Sequence, residues 1–193
     1  MKNIGLLGGS FDPPHKGHLY ISLEAKKILK LDEIWWLVTP KNPLKISEPA
    51  TYSERVYNCK LITRGKPINV YEKEKKINSK YTSLSLKYIL NNYKNITFFW
   101  LMGADNLIHF HKWQKWKQIF NNISIVVFKR HGYNHKALKS ISSKTFSHFQ
   151  IIAHPIRKVH FDQLPSWVWI NNCEIKISST EIRKQRQLLR GKN

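Results

Sequence analysis

Cysteine is nearly absent from this chain, with only Cys59 and Cys173 in 193 residues. The two lie far apart, with neither a C-x-x-C pair nor clustered Cys/His spacing, so neither a disulfide framework nor a zinc site is expected and both read as core or surface thiols. Long apolar runs are missing too. No stretch of about 18 apolar residues occurs, and Met1-Lys2-Asn3 leads directly into a strand pattern. Neither a membrane span nor a signal peptide is therefore supported, and the cytoplasm is the expected location. Repeats and low-complexity linkers are lacking, and the length suits one domain, 1–193, with a single sizeable core. Acidic residues are scarce, 12 Asp and Glu against 33 Lys and Arg, which leaves a formal net charge of +21. Such a charge is what a nucleic-acid binder shows. The basic residues, however, are mostly lysines scattered along the chain (Lys26-Lys27, Lys73, Lys75-Lys76, Lys115, Lys117, Lys184, Lys192) beside abundant Asn and Ile. That is the pattern of compositional drift rather than of an arginine-and-aromatic stripe, so functional nucleic-acid binding is the disfavoured reading. Attraction of small anionic substrates is the benefit it would bring.

What is present is an alternation of short apolar runs and helical patterns. Ile4–Leu7, Ile34–Thr39, Ile68–Tyr71, Ile96–Met102 and Ile123–Phe128 read as strands. His18–Leu29, Ser53–Thr63, Thr82–Asn91 and a tryptophan-bearing stretch from about Asn106 to Phe120 read as helices between them. This predicts an α/β, Rossmann-like doubly wound parallel sheet with right-handed crossovers, whose ligands sit at the carboxyl ends of the strands. Residues 130–170 are less legible: Arg130-His131-Gly132-Tyr133 ends the fifth strand, His148 to His160 alternates weakly, and Trp167 to Ile170 reads as a last strand. A C-terminal helical segment, Ile177 to Arg190, is marked by the hydroxyls Ser178-Ser179-Thr180.

The most informative stretch is Gly8-Gly9-Ser10-Phe11-Asp12-Pro13-Pro14-His15-Lys16-Gly17-His18, between the first strand and the first helix. A strand turning sharply into a helix leaves backbone N–H groups and the positive end of the helix dipole aimed at one spot. Gly8 and Gly9 permit close approach of the main chain. His15 and His18, three apart, can place imidazole donors on the same anion. A second polyphosphate candidate is Ser178-Ser179-Thr180-Glu181-Ile182-Arg183, where hydroxyls and unsatisfied N–H groups at a helix start are followed one turn later by the planar fork of Arg183. In the third, Met102 to Trp116, Asp105 after the strand-end Gly103 can accept hydrogen bonds from a ribose diol, and Trp113 can stack on a flat heteroaromatic ring. Phe110 and Trp116 share its helical spacing but read as core.

The first stretch resembles the G-x-F-D-P-x-H-x-G-H signature of the adenylyl- and cytidylyltransferases, with Gly9, Phe11, Asp12, Pro13, His15, Gly17 and His18 all in place. The second is similar to their I-S-S-T-x-I-R motif. The third looks like the G-A-D-x-L-x-x-F-x-x-W-x-x-W block of bacterial nicotinate-nucleotide adenylyltransferases, matched by Gly103, Ala104, Asp105, Leu107, Phe110, Trp113 and Trp116. Tyr81-Thr82-Ser83-Leu84-Ser85-Leu86 is similar to the same group's Y-T-x-x-T-L, with Ser85 where that pattern has a second threonine. The loop Thr39 to Lys45 stands where many relatives carry P-P-H-K; Pro40, Pro43 and Lys45 fit and the histidine is missing, so Lys45, or else Lys41, is the candidate phosphate contact.

The resemblance implies transfer of AMP from ATP to nicotinate mononucleotide, with pyrophosphate leaving and no covalent enzyme intermediate. Catalytic roles fall to His15 and His18, and phosphate binding to Gly8, Gly9, Ser10, Phe11, Lys45, Ser178, Ser179, Thr180 and Arg183. Gly103 and Asp105 join the ATP side, while Tyr81, Thr82 and Trp113 hold the nicotinate ring and carboxylate. Magnesium would arrive bound to ATP, with no metal site of the protein's own. The partners implied are those two substrates, no membrane, and compatibility with a homo-oligomer. The competing readings are a sister transferase acting on nicotinamide mononucleotide or phosphopantetheine, and, from another class, a basic nucleic-acid-binding protein on a nucleotide-binding fold.

Overall fold

The computed structural model describes residues 1–40, 50–72, 81–152, 161, 163–171 and 179–190, with the backbone alone for 184–187, 189 and 190. The elements run β1 (Lys2–Gly9), α1 (Lys16–Leu29), β2 (Glu33–Val38), α2 (Tyr52–Thr63), β3 (Ile68–Tyr71), α3 (Thr82–Asn92), β4 (Ile96–Gly103) and α4 (Ala104–His109). A 3₁₀ turn (Phe110–Lys112), α5 (Trp116–Asn122), β5 (Ser124–Phe128), α6 (Asn134–Leu138) and α7 (Ile141–Thr145) follow. A second 3₁₀ turn (Ser147–Phe149), β6 (Gln150–Ile151), β7 (Trp167–Ile170) and α8 (Ser179–Arg190) complete the described order. The strands form a seven-stranded sheet in the order β3-β2-β1-β4-β5-β7-β6, every pair parallel. No helix among the described residues is long and apolar enough to cross a membrane.

Strand residues alternate between two cores because successive side chains leave a strand on opposite faces. Ile4, Leu6, Phe98, Trp100, Ile125 and Val127 pack on one face with Leu86 and Ile89 of α3 and Ile119 and Phe120 of α5. Leu7, Phe99, Leu101, Val126 and Phe128 pack on the other with Ala25 of α1 and Val56 and Cys59 of α2. Both faces are covered, as the near-continuous apolar strands require. The chain order reverses between β1 and β4, so a crevice opens beyond their carboxyl ends, at Gly9 and Gly103.

Two local readings change. The single helix expected from Asn106 to Phe120 is broken: Trp113 is extended (ψ 141°), Lys115 takes a left-handed φ of 55°, and α5 starts only at Trp116. The three-residue spacing of Phe110, Trp113 and Trp116 thus reflects a shared core rather than one helical stripe. Residues 130–170 supply two short helices, α6 and α7, and Phe146 stacks on Phe120 with centroids 4.1 Å apart. Their Ser- and Lys-rich sequence hid this, because short helices carry little periodic signal and are held by tertiary packing.

Candidate active site

The turn after β1 is built around Phe11. Its φ of 48° lies in the left-handed region, which costs a non-glycine residue about 1 kcal/mol or more. Burial of the ring at 2% exposure, stacked on Trp36 with centroids 4.7 Å apart, offsets that cost. Trp36 is itself fixed: its indole Nε1–H donates to the Ser22 hydroxyl at 2.8 Å, which donates to the His18 carbonyl at 2.8 Å. The left-handed residue of the turn is therefore Phe11 rather than either glycine. Gly8 carries a packing constraint as well, since a Cβ there would collide with the buried Trp100 ring from β4. A Cβ at Gly9 would only touch Phe11, at 3.4 Å.

α1 begins at Lys16, two residues before the expected start, because the histidines cap it. Gly17 N–H donates to His15 Nδ1 at 3.1 Å, and His15 N–H donates to His18 Nδ1 at 3.2 Å. Both Nδ1 atoms are acceptors, so in the neutral rings the proton lies on Nε2. The rings lie 3.8 Å apart, centroid to centroid, and the pair thus carries two Nε2–H donors side by side. Burial, reinforced by the Arg130 guanidinium and opposed by Asp105 and Glu181, pulls the His15 pKa down from 6.5 to about 4. At neutral pH His15 is an uncharged donor.

That depression has a consequence for stability. Between about pH 6.5 and 4 the unfolded chain takes up a proton at His15 that the folded chain refuses, so stability present above pH 6.5 is lost as the pH falls through this window. The expected contribution is about 3 kcal/mol between pH 7 and 4. Urea unfolding at both pH values checks it: His15→Asn, which keeps a capping oxygen, should lose much of the difference, and an unchanged difference would refute the assignment.

The C-terminal motif docks onto this turn. The Ser179 hydroxyl donates to the Pro13 carbonyl at 3.0 Å. Arg183 Nη1 donates to the Asp12 carbonyl and lies 3.7 Å from the Asp12 carboxylate, while Nη2 reaches the Thr180 hydroxyl at 3.3 Å. Asp12 also accepts from Ala50 N–H at 3.4 Å. Across the crevice, Arg130 binds Asp105 Oδ2 at 2.6 Å, and Asp105 Oδ1 has no hydrogen-bond partner among the described residues.

The residues expected at the ring site form a second group. α3 starts at Thr82 with Tyr81 as its N-cap and no side-chain cap among the described residues, and the Ser83 hydroxyl donates to Gln114 Oε1 at 3.4 Å, next to Trp113. Trp113 is half-buried, edge-on to Trp100 at 6.2 Å, and Trp100 abuts Gly8, which connects this group to the phosphate turn. Phe110 is fully buried, as expected of a core residue. Lys41, Lys45 and Ser178 lie outside the described residues.

Two arginines escaped the sequence reading. Arg130 stands in the stretch that carried almost no pattern. Arg55 had a signal: it follows the Thr51 cap by four positions and precedes Val56 and Cys59, on the stripe of α2 that faces the core.

A cytidylyltransferase-like family model matches residues 6–185. A Ruegeria protein described as a probable nicotinate-nucleotide adenylyltransferase is 40% identical over 94% of this chain and 96% of its own. A Cereibacter sphaeroides protein of the same description is 37% identical over 93% and 95%. Among solved structures, the Plasmodium falciparum nicotinic acid mononucleotide adenylyltransferase complexed with NaAD superposes with a TM-score of 0.71 at 20% identity, covering 95% of this chain and 83% of that one. At that identity the match speaks for the fold.

Proposed function

The chain belongs to the cytidylyltransferase-like family and, within it, to the nicotinate-nucleotide adenylyltransferases; from that premise we propose that it transfers AMP from ATP to nicotinate mononucleotide, giving the deamido dinucleotide and pyrophosphate. One observation carries the reading from the geometry: the two candidate phosphate-binding motifs meet where Ser179 donates to Pro13, 166 positions away. In the reaction an oxygen of the mononucleotide phosphate forms the new bond to the α-phosphorus. The bond from that phosphorus to the α–β bridging oxygen breaks, and its electron pair leaves on pyrophosphate. The attacking phosphate is already anionic, so no side chain need remove a proton. The protein's share is alignment of two anions and stabilisation of developing charge.

His18 would hold the α-phosphate through its Nε2–H as charge develops, with His15 and the main chain of Gly8, Gly9, Ser10 and Phe11 on neighbouring oxygens. Ser178, Ser179, Thr180 and Arg183 would steady the leaving pyrophosphate, Arg183 exchanging Asp12 for phosphate oxygens. Asp105, with an oxygen to accept, suits a ribose hydroxyl beside Gly103. The start of α3 at Tyr81 and Thr82, with Trp113, suits the nicotinate carboxylate and ring. Two of the nearby carboxylates, Asp12 and Asp105, each face an arginine, a donor set that fits a magnesium ion carried by ATP phosphates and waters. Lys45 remains the candidate loop contact for phosphate.

The test is pyrophosphate release, with the product mass determined, using ATP and each of nicotinate mononucleotide, nicotinamide mononucleotide and phosphopantetheine. The deamido dinucleotide is expected; no turnover with the first acceptor would refute the reading. The +21 charge favours one competitor, so RNA binding should be titrated alongside. Binding by dispersed lysines should be largely gone by about 0.2 M salt. Submicromolar RNA affinity there, without transfer, would replace the proposal.

A further inference from the structure

We propose that Arg55 is a positioning residue for adenylyl transfer, holding the main chain of the phosphate-binding turn against the ends of its neighbouring elements; this rests on the transfer reading above. The side chain is 1% exposed. Four of its donors meet main-chain carbonyls in three segments: Nη1 to Ser10 at 2.6 Å and Thr39 at 2.8 Å, Nη2 to Pro40 at 2.8 Å, and Nε to Ala50 at 2.9 Å. A planar guanidinium can satisfy four carbonyls around one plane, and no other side chain has that fork.

Stability is only part of the reason for this arrangement. A buried cation must be desolvated, a cost set against the four carbonyls that an apolar side chain in its place would leave unpaired. Burial indeed lowers the Arg55 pKa, with the Asp12 carboxylate working in the opposite direction. What the arginine supplies is geometry. Ser10 lies between Gly9 and the left-handed Phe11, and Asp12, two residues on, holds Arg183. A shift of Ser10 therefore moves the N–H groups of the turn, the His15 cap and the anchor of Arg183 together. Arg55 touches no reacting atom; it acts through the backbone that does.

The experiment compares wild type with Arg55→Lys, which keeps the stem and the charge but replaces a planar four-carbonyl fork with a three-donor point charge. Assayed well below its own unfolding midpoint, the variant should lose about 10–100-fold in kcat, the scale of a 1 Å misalignment, while the acceptor KM stays within about twofold. A folded Arg55→Lys protein with wild-type kcat would overturn the proposal, since a purely structural arginine predicts that result. A measurement on wild type stands apart from the folding of any variant. The Arg55 Nε–H resonance should be protected from exchange and should shift when α,β-methylene-ATP is added; a resonance indifferent to the nucleotide would equally overturn it. Wild type that transfers nothing would sink the transfer reading instead, while the resonance still reports whether Arg55 is coupled to the nucleotide site.

Discussion

His18→Ala should lower kcat by about 10²–10³, the scale for removing one positioned donor to a developing charge. The geometry makes the expectation specific. His18 Nδ1 accepts from His15 N–H at 3.2 Å, which orients the ring and, in its neutral form, sets the proton on Nε2. Phe11 at 4.8 Å and His15 at 3.8 Å, centroid to centroid, pack on the same ring. Losing the cap should itself cost about 1 kcal/mol of stability, so the assay must be run on protein shown to be folded. His18→Asn keeps an acceptor near the Nδ1 position and should recover that stability without recovering kcat. Near-normal turnover in folded His18→Ala would remove His18 from the mechanism.

Discrimination between the acid and the amide nucleotide should be the other large effect, with kcat/KM favouring nicotinate mononucleotide by about 10²-fold. Among the described residues α3 opens without a side-chain cap, so the backbone N–H groups of its first turn suit a carboxylate beside Trp113. An amide brings its own NH₂ to the same donors and leaves buried groups unpaired, at about 1–3 kcal/mol. Steady-state kinetics with both acceptors decide it, and a ratio near one would show that this helix start does not read the carboxylate. Trp113→Ala should raise the acceptor KM about tenfold and leave the ATP KM nearly unchanged, as loss of a stacking surface predicts.

The parallel sheet, six of the seven described strands and the first three helices were legible in the sequence. Apolar runs, glycines and hydroxyl clusters act within a few residues of themselves. The local patterns of Ile68–Tyr71 and Trp167–Ile170 coincide with β3 and β7, and those of β1, β2, β4, β5 and α1 to α3 end within two residues of the elements themselves. Legibility failed where neighbours distant in sequence decide the outcome. Trp113 is extended, within a break that local periodicity bridged. Gly8 leaves room for the ring of Trp100, 92 positions on, which no local pattern announces. α6 and α7 exist because the core around Phe120 and Phe146 holds them.

The sequence by itself determined which chemistry the chain can perform, since hydrogen-bond donors, hydroxyls and guanidinium groups are properties of single residues in local order. Only the tertiary structure decided how those groups are aimed. It capped α1 with two histidines, moved the His15 pKa by burial, paired Asp12 with Arg183 and Asp105 with Arg130, and buried Arg55 among four carbonyls. Each of these depends on distance and desolvation, which exist only once segments far apart in the chain share one site.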